Sequence, residues 1–197
     1  MSRITKLSVD QWDPELRRMT SADTGTPLEQ GLMRMMAHTP GIAKGIVALG
    51  SALRQNRALP DKLVEMVRLR IAFHNQCRSC MAIRYKSALD DGLDENLVCS
   101  LEKPQEADNL TDGEKAALKF ADKFANDHLS IDDAMYDELR RHYAESEIVE
   151  LGLWVAFCVG FGRLGATWDM IEELPTSFQD KSRPLTPWNE EAIHVRG

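Results

Sequence analysis

The chain has 197 residues, 43% of them hydrophobic, with 24 basic and 31 acidic residues and a net charge of −7. This size allows a core that folds without disulfides or metals, and the negative charge excludes nucleic acid and an anionic membrane surface as expected partners. The longest strongly apolar run, residues 151–161, is shorter than the roughly 20 residues of a membrane span, and no secretory signal is recognisable, so we expect a soluble, cytoplasmic protein.

Helical periodicity recurs from residue 28 to residue 173 and strand patterns are almost absent, so the sequence predicts an all-α, multi-helix fold. We expect one helical domain at residues 28–173. Residues 1–27 and 174–197 carry prolines and scattered charges without periodicity, and are expected to be extended arms. The predicted helices are 28–37, 42–54, 60–73, 76–91, 111–128, 132–142 and 146–173.

Two of these helices carry start signals that the structure can test. Thr111 and Glu114 have the spacing of a capping box at the start of helix 111–128. Asn75 is the expected N-cap of helix 76–91, which would place Cys77 and Cys80 in its first turns. There the unpaired backbone N–H groups and the helix dipole favour a thiolate.

Only one pair among the four cysteines has a spacing with chemical meaning. Cys77 and Cys80 form a Cys-x-x-Cys motif, which is typical of redox chemistry in a reducing compartment. We expect Cys80 to lie deeper than Cys77, which is nearer the helix start. Cys99 and Cys158 are interpreted first as small buried hydrophobes.

Cations surround the cysteine pair in the sequence. No acidic residue occurs between Glu65 and Asp90, a stretch that contains five basic residues, namely Arg68, Arg70, Arg78, Arg84 and Lys86. On a continuous helix Arg84 would share a face with both cysteines and could stabilise a thiolate. One alternative remains, in which both cysteines are inert core residues and the arginines only form a solvated face.

Two further motifs resemble a zinc site and a dinucleotide-binding site. His74, Cys77 and Cys80 could supply three zinc ligands, but a structural site needs a fourth, and nearby cations oppose a dication, so we expect no metal. Residues 160–165 (GFGRLG) match a dinucleotide fingerprint without the required strand–helix–strand unit. These glycines are expected to admit a close neighbour within a buried helix, and no cofactor is expected.

The segment EMVRLRIAFHNQCRSC, from Glu65 to Cys80, followed by Gly92 and Leu93, resembles the core signature of AhpD-like alkylhydroperoxidases of the carboxymuconolactone decarboxylase superfamily. The resemblance implies that Cys80 attacks a hydroperoxide, that Cys77 resolves it as a disulfide and that Glu65 serves a proton relay. It also implies an external thiol reductant and a homo-oligomer, either a trimer or a hexamer. Glu65 by itself would be interpreted as a surface partner of Arg68, one turn further along the helix.

The chain departs from the family pattern where a histidine often follows the second cysteine by four residues. Arg84 stands there and cannot relay a proton, so His74 is a candidate substitute. Two other functions stay open: a cofactor-free decarboxylase whose anionic substrate the arginines would bind, and a non-catalytic oligomeric redox-sensing module.

Overall fold

The computed structural model of the protein describes residues 2–182, 184–188 and 192–196. These form twelve α-helices and two three-residue strands, so the predicted all-α class is confirmed. In chain order the elements are α1 (Pro14–Thr20), α2 (Pro27–Gln30), α3 (Met33–Met36), α4 (Pro40–Gln55), α5 (Asp61–Asn75), α6 (Arg78–Ala82), β1 (Ile83–Tyr85), α7 (Lys86–Asp90), α8 (Glu95–Ser100), α9 (Asp112–Asn126), α10 (Asp133–Arg140), α11 (Glu145–Trp168), α12 (Thr176–Gln179) and β2 (Ile193–Val195).

Helix α5 is the centre of the fold. The sequence predicted one apolar face, but every residue from Leu63 to Leu69 is buried, including Glu65 and Arg68. Helices α9 and α11 pack against it from two sides. The Trp154 indole of α11 donates a hydrogen bond of 3.0 Å to the Val64 carbonyl oxygen. Charged side chains on α5 therefore lie inside the protein and need partners there.

The predicted capping residues at the start of α9 make the expected hydrogen bonds. The Thr111 hydroxyl accepts from the Glu114 amide at 3.2 Å, and the Glu114 carboxylate accepts from the Thr111 amide at 2.8 Å. This is the predicted capping box of α9. Helices α4, α5, α9, α10 and α11 all lie where the periodicity predicted them.

Three predicted helices differ from the structure. The predicted helix 28–37 is divided into α2 and α3 at Gly31, whose φ of 46° ends the first of them. Helix α11 ends at Trp168 because Asp169 adopts a left-handed conformation with φ 59°. The predicted helix 76–91 is divided by strand β1 into the short helices α6 and α7.

The expected extended arms have more structure than predicted. The first arm contains α1, which Asp13 caps by accepting hydrogen bonds from two backbone amides, and its Leu16 is fully buried. In the second arm, β2 pairs in parallel with β1, with Arg84 opposite His194. Residues 1, 183, 189–191 and 197 of the predicted arms lie outside the described residues.

Helix α11 is longer than the apolar run that suggested it. By length and composition alone its 24 residues could cross a membrane, which the sequence analysis did not expect. A third of its most apolar stretch is buried within this chain, and the buried face packs on α5, as in the core helix of a globular fold.

Apolar side chains remain exposed on α4 and α11. The two helices adjoin near Gly50, where an added Cβ would lie 3.8 Å from the Phe157 ring. Ile42 and Leu49 on α4 are 66% and 49% exposed, and Val149 and Leu153 on α11 are 60% and 56% exposed. Exposed apolar residues concentrated on neighbouring helices are typical of an interface. We propose that a second copy of the chain covers this surface in a homo-oligomer.

Sedimentation equilibrium at micromolar concentration tests this proposal. We expect a mass above that of the monomer, and a lower mass for Leu153→Glu because the substitution buries a charge in the interface. Leu129→Glu is the matched control, since Leu129 is 86% exposed outside α4 and α11. A monomeric unmodified chain would contradict the proposal.

Candidate functional site

A sharp turn after α5 positions the cysteine pair. Gln76 adopts a left-handed conformation with φ 49°, and its amide donates to the Phe73 carbonyl at 3.0 Å. Cys77 is then the N-cap of α6, so the expectation that Asn75 would cap this helix is wrong. Asn75 is the last residue of α5, and its side chain bonds to α11 instead.

Cys77 and Cys80 are joined as a disulfide, with their Cα atoms 5.2 Å apart. Cys77 is fully buried, whereas Cys80 is half-buried. The expected order of depth is therefore reversed, because the turn at Gln76 directs the chain inward before α6 begins. Of the two cysteines, Cys80 is the one that retains contact with solvent.

The glycines of residues 160–165 let α11 approach this site. A Cβ on Gly162 would lie 2.4 Å from Asn75 Nδ2, and one on Gly165 would lie 3.4 Å from the Cys77 sulfur. The Asn75 amide group donates to the Cys158 carbonyl at 3.1 Å and accepts from Arg163 Nε at 3.1 Å. Gly162 and Gly165 thus admit a close neighbour, as the sequence predicted, whereas Gly160 has no neighbour within 4 Å.

We expect Gly162→Ala to destabilise the protein by about 1 to 3 kcal/mol, because the new methyl group displaces the Asn75 side chain from its hydrogen bonds. Gly160→Ala is the control on the same helix, since a Cβ there meets nothing within 4 Å. The control should be stabilising by about 0.5 to 1 kcal/mol. Urea unfolding measures both, and equal effects would contradict this packing role.

Arg84 is not beside the thiols in the way the sequence predicted. Its side chain is fully buried on β1, where it pairs with Glu95 of α8 at 3.1 Å. It also donates to the carbonyl oxygens of Met81 at 2.9 Å and Pro187 at 2.7 Å. The shared helical face does not exist because α6 ends at Ala82, so Arg84 anchors the backbone rather than covering the cysteines.

Replacing Arg84 with Met should therefore lower the free energy of unfolding by about 2 to 4 kcal/mol, since buried carbonyl groups lose their donor. Lys86→Met is the matched control, because the Lys86–Asp90 pair is 67% and 62% exposed. Its effect should stay within about 0.5 kcal/mol. Urea unfolding compares them, and an Arg84→Met protein as stable as the control would contradict the anchoring role.

Four of the five cations near the cysteines are paired with acidic residues, two of them with neighbours on the same helix and two with residues of other helices. These ion pairs join Arg68 with Glu65, Arg70 with Asp122, Arg84 with Glu95, and Lys86 with Asp90. Arg78 donates to the Phe178 carbonyl oxygen of the C-terminal arm at 3.0 Å. The positive stretch in the sequence is thus not an unneutralised positive surface in the fold.

His74 is bound to α9. Its Nε2 lies 2.6 Å from Asp122 Oδ1, and Arg70 Nε donates to the same oxygen at 2.7 Å. Burial tends to raise the pKa of Asp122, but these two partners outweigh it and hold the pKa below its usual range. His74 therefore has a described partner other than the cysteines. Within the described ranges, no group of three or more His, Cys, Asp or Glu side chains is placed to hold a metal ion.

Glu65 and Arg68 form a buried pair directly behind the cysteine segment, with exposures of 2% and 8%. Burial tends to lower the pKa of Arg68, yet the adjacent Glu65 carboxylate raises it overall. The interpretation of Glu65 alone as a partner of Arg68 is correct in the pairing and wrong in placing it at the surface. Arg68 also donates to the Cys80 carbonyl oxygen at 2.6 Å.

The remaining cysteines differ from their expected burial. Cys99 is exposed and Cys158 is half-buried, so neither is fully buried as predicted. Burial raises the pKa of the Cys158 thiol to about 12, which keeps it protonated at neutral pH.

Sequence reasoning missed the role of the C-terminal arm, which lies against the cysteine segment. The Gln76 side chain exchanges two hydrogen bonds of 3.1 Å with the backbone of Leu185. Phe178, Leu185, Ile171 and Leu174 form an apolar cluster with α6, and Cys80 packs against it. No local pattern marks these contacts, because their partners lie about 100 residues apart.

Sequence comparison finds a family match over the centre of the chain. Residues 40–123 match the carboxymuconolactone decarboxylase family. Two uncharacterised proteins of Mycobacterium tuberculosis, from strains CDC 1551 and H37Rv, are each 38% identical over 102 residues. The alignment covers 51% of this chain and 35% of each relative, so the chain matches about a third of the length of these curated relatives.

Two solved structures share the fold over most of their length. An AhpD-core, peroxidase-related protein from Ralstonia eutropha JMP134 has a TM-score of 0.74 at 18% identity, covering 90% of this chain and 94% of that one. The debrominase Bmp8 has a TM-score of 0.70 at 22% identity, covering 91% and 97%. At these identities the likeness establishes the fold alone.

Proposed function

We propose that the chain is a thiol-dependent reductase of organic hydroperoxides and a member of the AhpD-like carboxymuconolactone decarboxylase superfamily, whose family model matches residues 40–123. The observation that carries this proposal is a Cys77–Cys80 disulfide in which Cys77 is fully buried and Cys80 is half-buried. Such a pair has one cysteine within reach of a substrate and another already at bonding distance from it.

The reaction uses both cysteines in turn. The Cys80 thiolate attacks the terminal peroxide oxygen, the O–O bond breaks, and the departing alkoxide takes a proton from water to leave as an alcohol. Cys80 is then a sulfenic acid. The Cys77 thiol condenses with it, releases water and forms the disulfide. An external dithiol supplies two electrons and two protons to restore the thiols, which suits a reducing cytoplasm.

We choose an organic hydroperoxide over hydrogen peroxide because an alkyl chain gains free energy at an apolar site and hydrogen peroxide has no apolar group to bury. The half-buried Cys80 packs against an apolar cluster that includes Met81, Ile171 and Leu174.

The lyase alternative has less support. A decarboxylase acting on a lactone acid needs cations that are available to the substrate carboxylate. Four of the five cations near the cysteines already pair with acidic side chains. The redox-sensing alternative differs in turnover, because a sensor is oxidised once and does not consume peroxide catalytically.

Peroxide consumption with cumene hydroperoxide and a dithiol reductant tests the proposal. Cys80→Ser should abolish turnover because the attacking sulfur is lost. Cys77→Ser should stop after one oxidation and trap a sulfenic acid or mixed disulfide on Cys80, which mass spectrometry detects.

Cys99→Ser is the matched control, since this exposed thiol lies outside the disulfide, and it should turn over like the unmodified chain. Oxidation that survives in Cys80→Ser but is lost in Cys77→Ser would reverse the two roles. An unmodified chain that forms the disulfide but consumes no further peroxide would favour the sensor instead.

A further inference from the structure

The buried carboxylate of Glu65 is fully occupied by hydrogen-bond donors. Oε2 accepts from Arg68 Nε at 2.6 Å, and Oε1 accepts from Arg68 Nη2 at 2.7 Å. Oε1 also accepts from the Tyr85 amide at 3.2 Å. Two of these three hydrogen bonds come from one permanent cation in bidentate contact, which is the strong form of a charge-assisted pair.

Removal of the Glu65 charge would leave Arg68 as an uncompensated buried cation, which is strongly unfavourable. A proton relay needs a carboxylate oxygen directed at the reacting group, and both oxygens of Glu65 are directed at Arg68 and at the Tyr85 amide. The geometry therefore does not suit the relay role that the family resemblance assigns to Glu65.

The other edge of the Arg68 guanidinium faces the cysteine segment. Nη1 donates to the Cys80 carbonyl at 2.6 Å, and Nη2 donates to the Ile83 carbonyl at 2.9 Å. These carbonyls lie at the end of the short helix α6, where backbone acceptors lack helical partners. Arg68 thus holds the end of the helix that carries Cys80 and brings the positive side of the ion pair toward that residue.

Other ionisable groups also lie around Cys80. Arg84 on β1 is paired with Glu95, whereas Arg78 on α6, two residues before Cys80, donates to the Phe178 carbonyl oxygen of the C-terminal arm. The Arg68 guanidinium carbon lies 5.0 Å from the centroid of the Tyr85 ring. Burial raises the pKa of the Tyr85 hydroxyl, so this group is neutral. The arm packs apolar side chains against Cys80.

We propose that Glu65 is the counter-ion of Arg68 rather than a proton carrier, and that Arg68 is the positioning residue that holds Cys80 and keeps positive charge beside its sulfur. The inference rests on the proposed function in one respect only, namely that Cys80 is the reacting cysteine. It transfers to Arg68 the electrostatic role that the sequence suggested for Arg84.

The test is the pH dependence of Cys80 alkylation by iodoacetamide. It uses the folded full-length chain carrying Cys77→Ser, and peptide mass spectrometry follows Cys80 alone. The midpoint is the pH at which the alkylation rate of Cys80 is half of its maximum. Arg68→Met should raise this midpoint by about one pH unit, because an adjacent cation favours the thiolate. Arg68→Lys should restore most of the shift. Glu65→Gln should lower the midpoint, because it removes the negative charge and leaves the cation.

The sign of the Glu65→Gln effect separates the two roles. A proton relay predicts a midpoint that is unchanged or raised, and either result overturns the counter-ion assignment. An unchanged midpoint in Arg68→Met overturns the positioning role. Since Arg68→Met leaves a buried carboxylate without its partner, the double variant Glu65→Leu with Arg68→Met keeps the test valid if the single variant does not fold. The double variant should also have a raised midpoint.

Arg70→Met is the matched control, since it removes another partly buried arginine of α5 whose partner, Asp122, lies on α9. Its midpoint should equal that of the parent, and a shift as large as that of Arg68→Met would attribute the effect to general destabilisation. Alkylation requires no peroxide, so these midpoints stand even if the chain consumes none. Failure of this inference is therefore distinguishable from failure of the proposed peroxide reduction.

Discussion

The buried ion pair between Glu65 and Arg68 is the constraint on which the site depends. Both residues lie on α5, which is enclosed by the core, so neither charge can be solvated by water. Two buried charges are tolerated only when they pair and satisfy their remaining hydrogen-bonding groups. Arg68 meets this requirement by donating to the backbone of the cysteine segment. The same requirement thus joins the central helix to the disulfide.

The cysteine segment has little regular structure of its own. Helix α6 has five residues and β1 has three, and neither length would be stable in isolation. Their backbone groups are instead satisfied from outside, by Arg68 from α5, by the side chain of Arg84, and by β2 of the C-terminal arm. The spatial relation of the two sulfurs therefore depends on parts of the chain that are distant in sequence.

The run of cations in the sequence did not predict the charge around the cysteines in the fold. A run of cations without acidic neighbours suggested an electropositive site, but Asp122 and Glu95 approach two of those cations from α9 and α8. What remains beside Cys80 is one oriented ion pair rather than a positive cluster. Electrostatic interactions weaken with distance in space, and linear spacing does not report which side chains are close.

The sequence by itself determined the all-α class and the main helices with the capping box of α9, and its Cys77–Cys80 segment carries the resemblance to a family whose model matches residues 40–123. These features depend on contacts between residues a few positions apart, which periodicity and capping rules describe. Only the tertiary structure decided that Cys77 lies deeper than Cys80, that Arg84 anchors the C-terminal arm and that the predicted helix 76–91 is divided by a strand. Each of these depends on partners about 100 residues away or on burial by other helices, and local patterns contain no information about either.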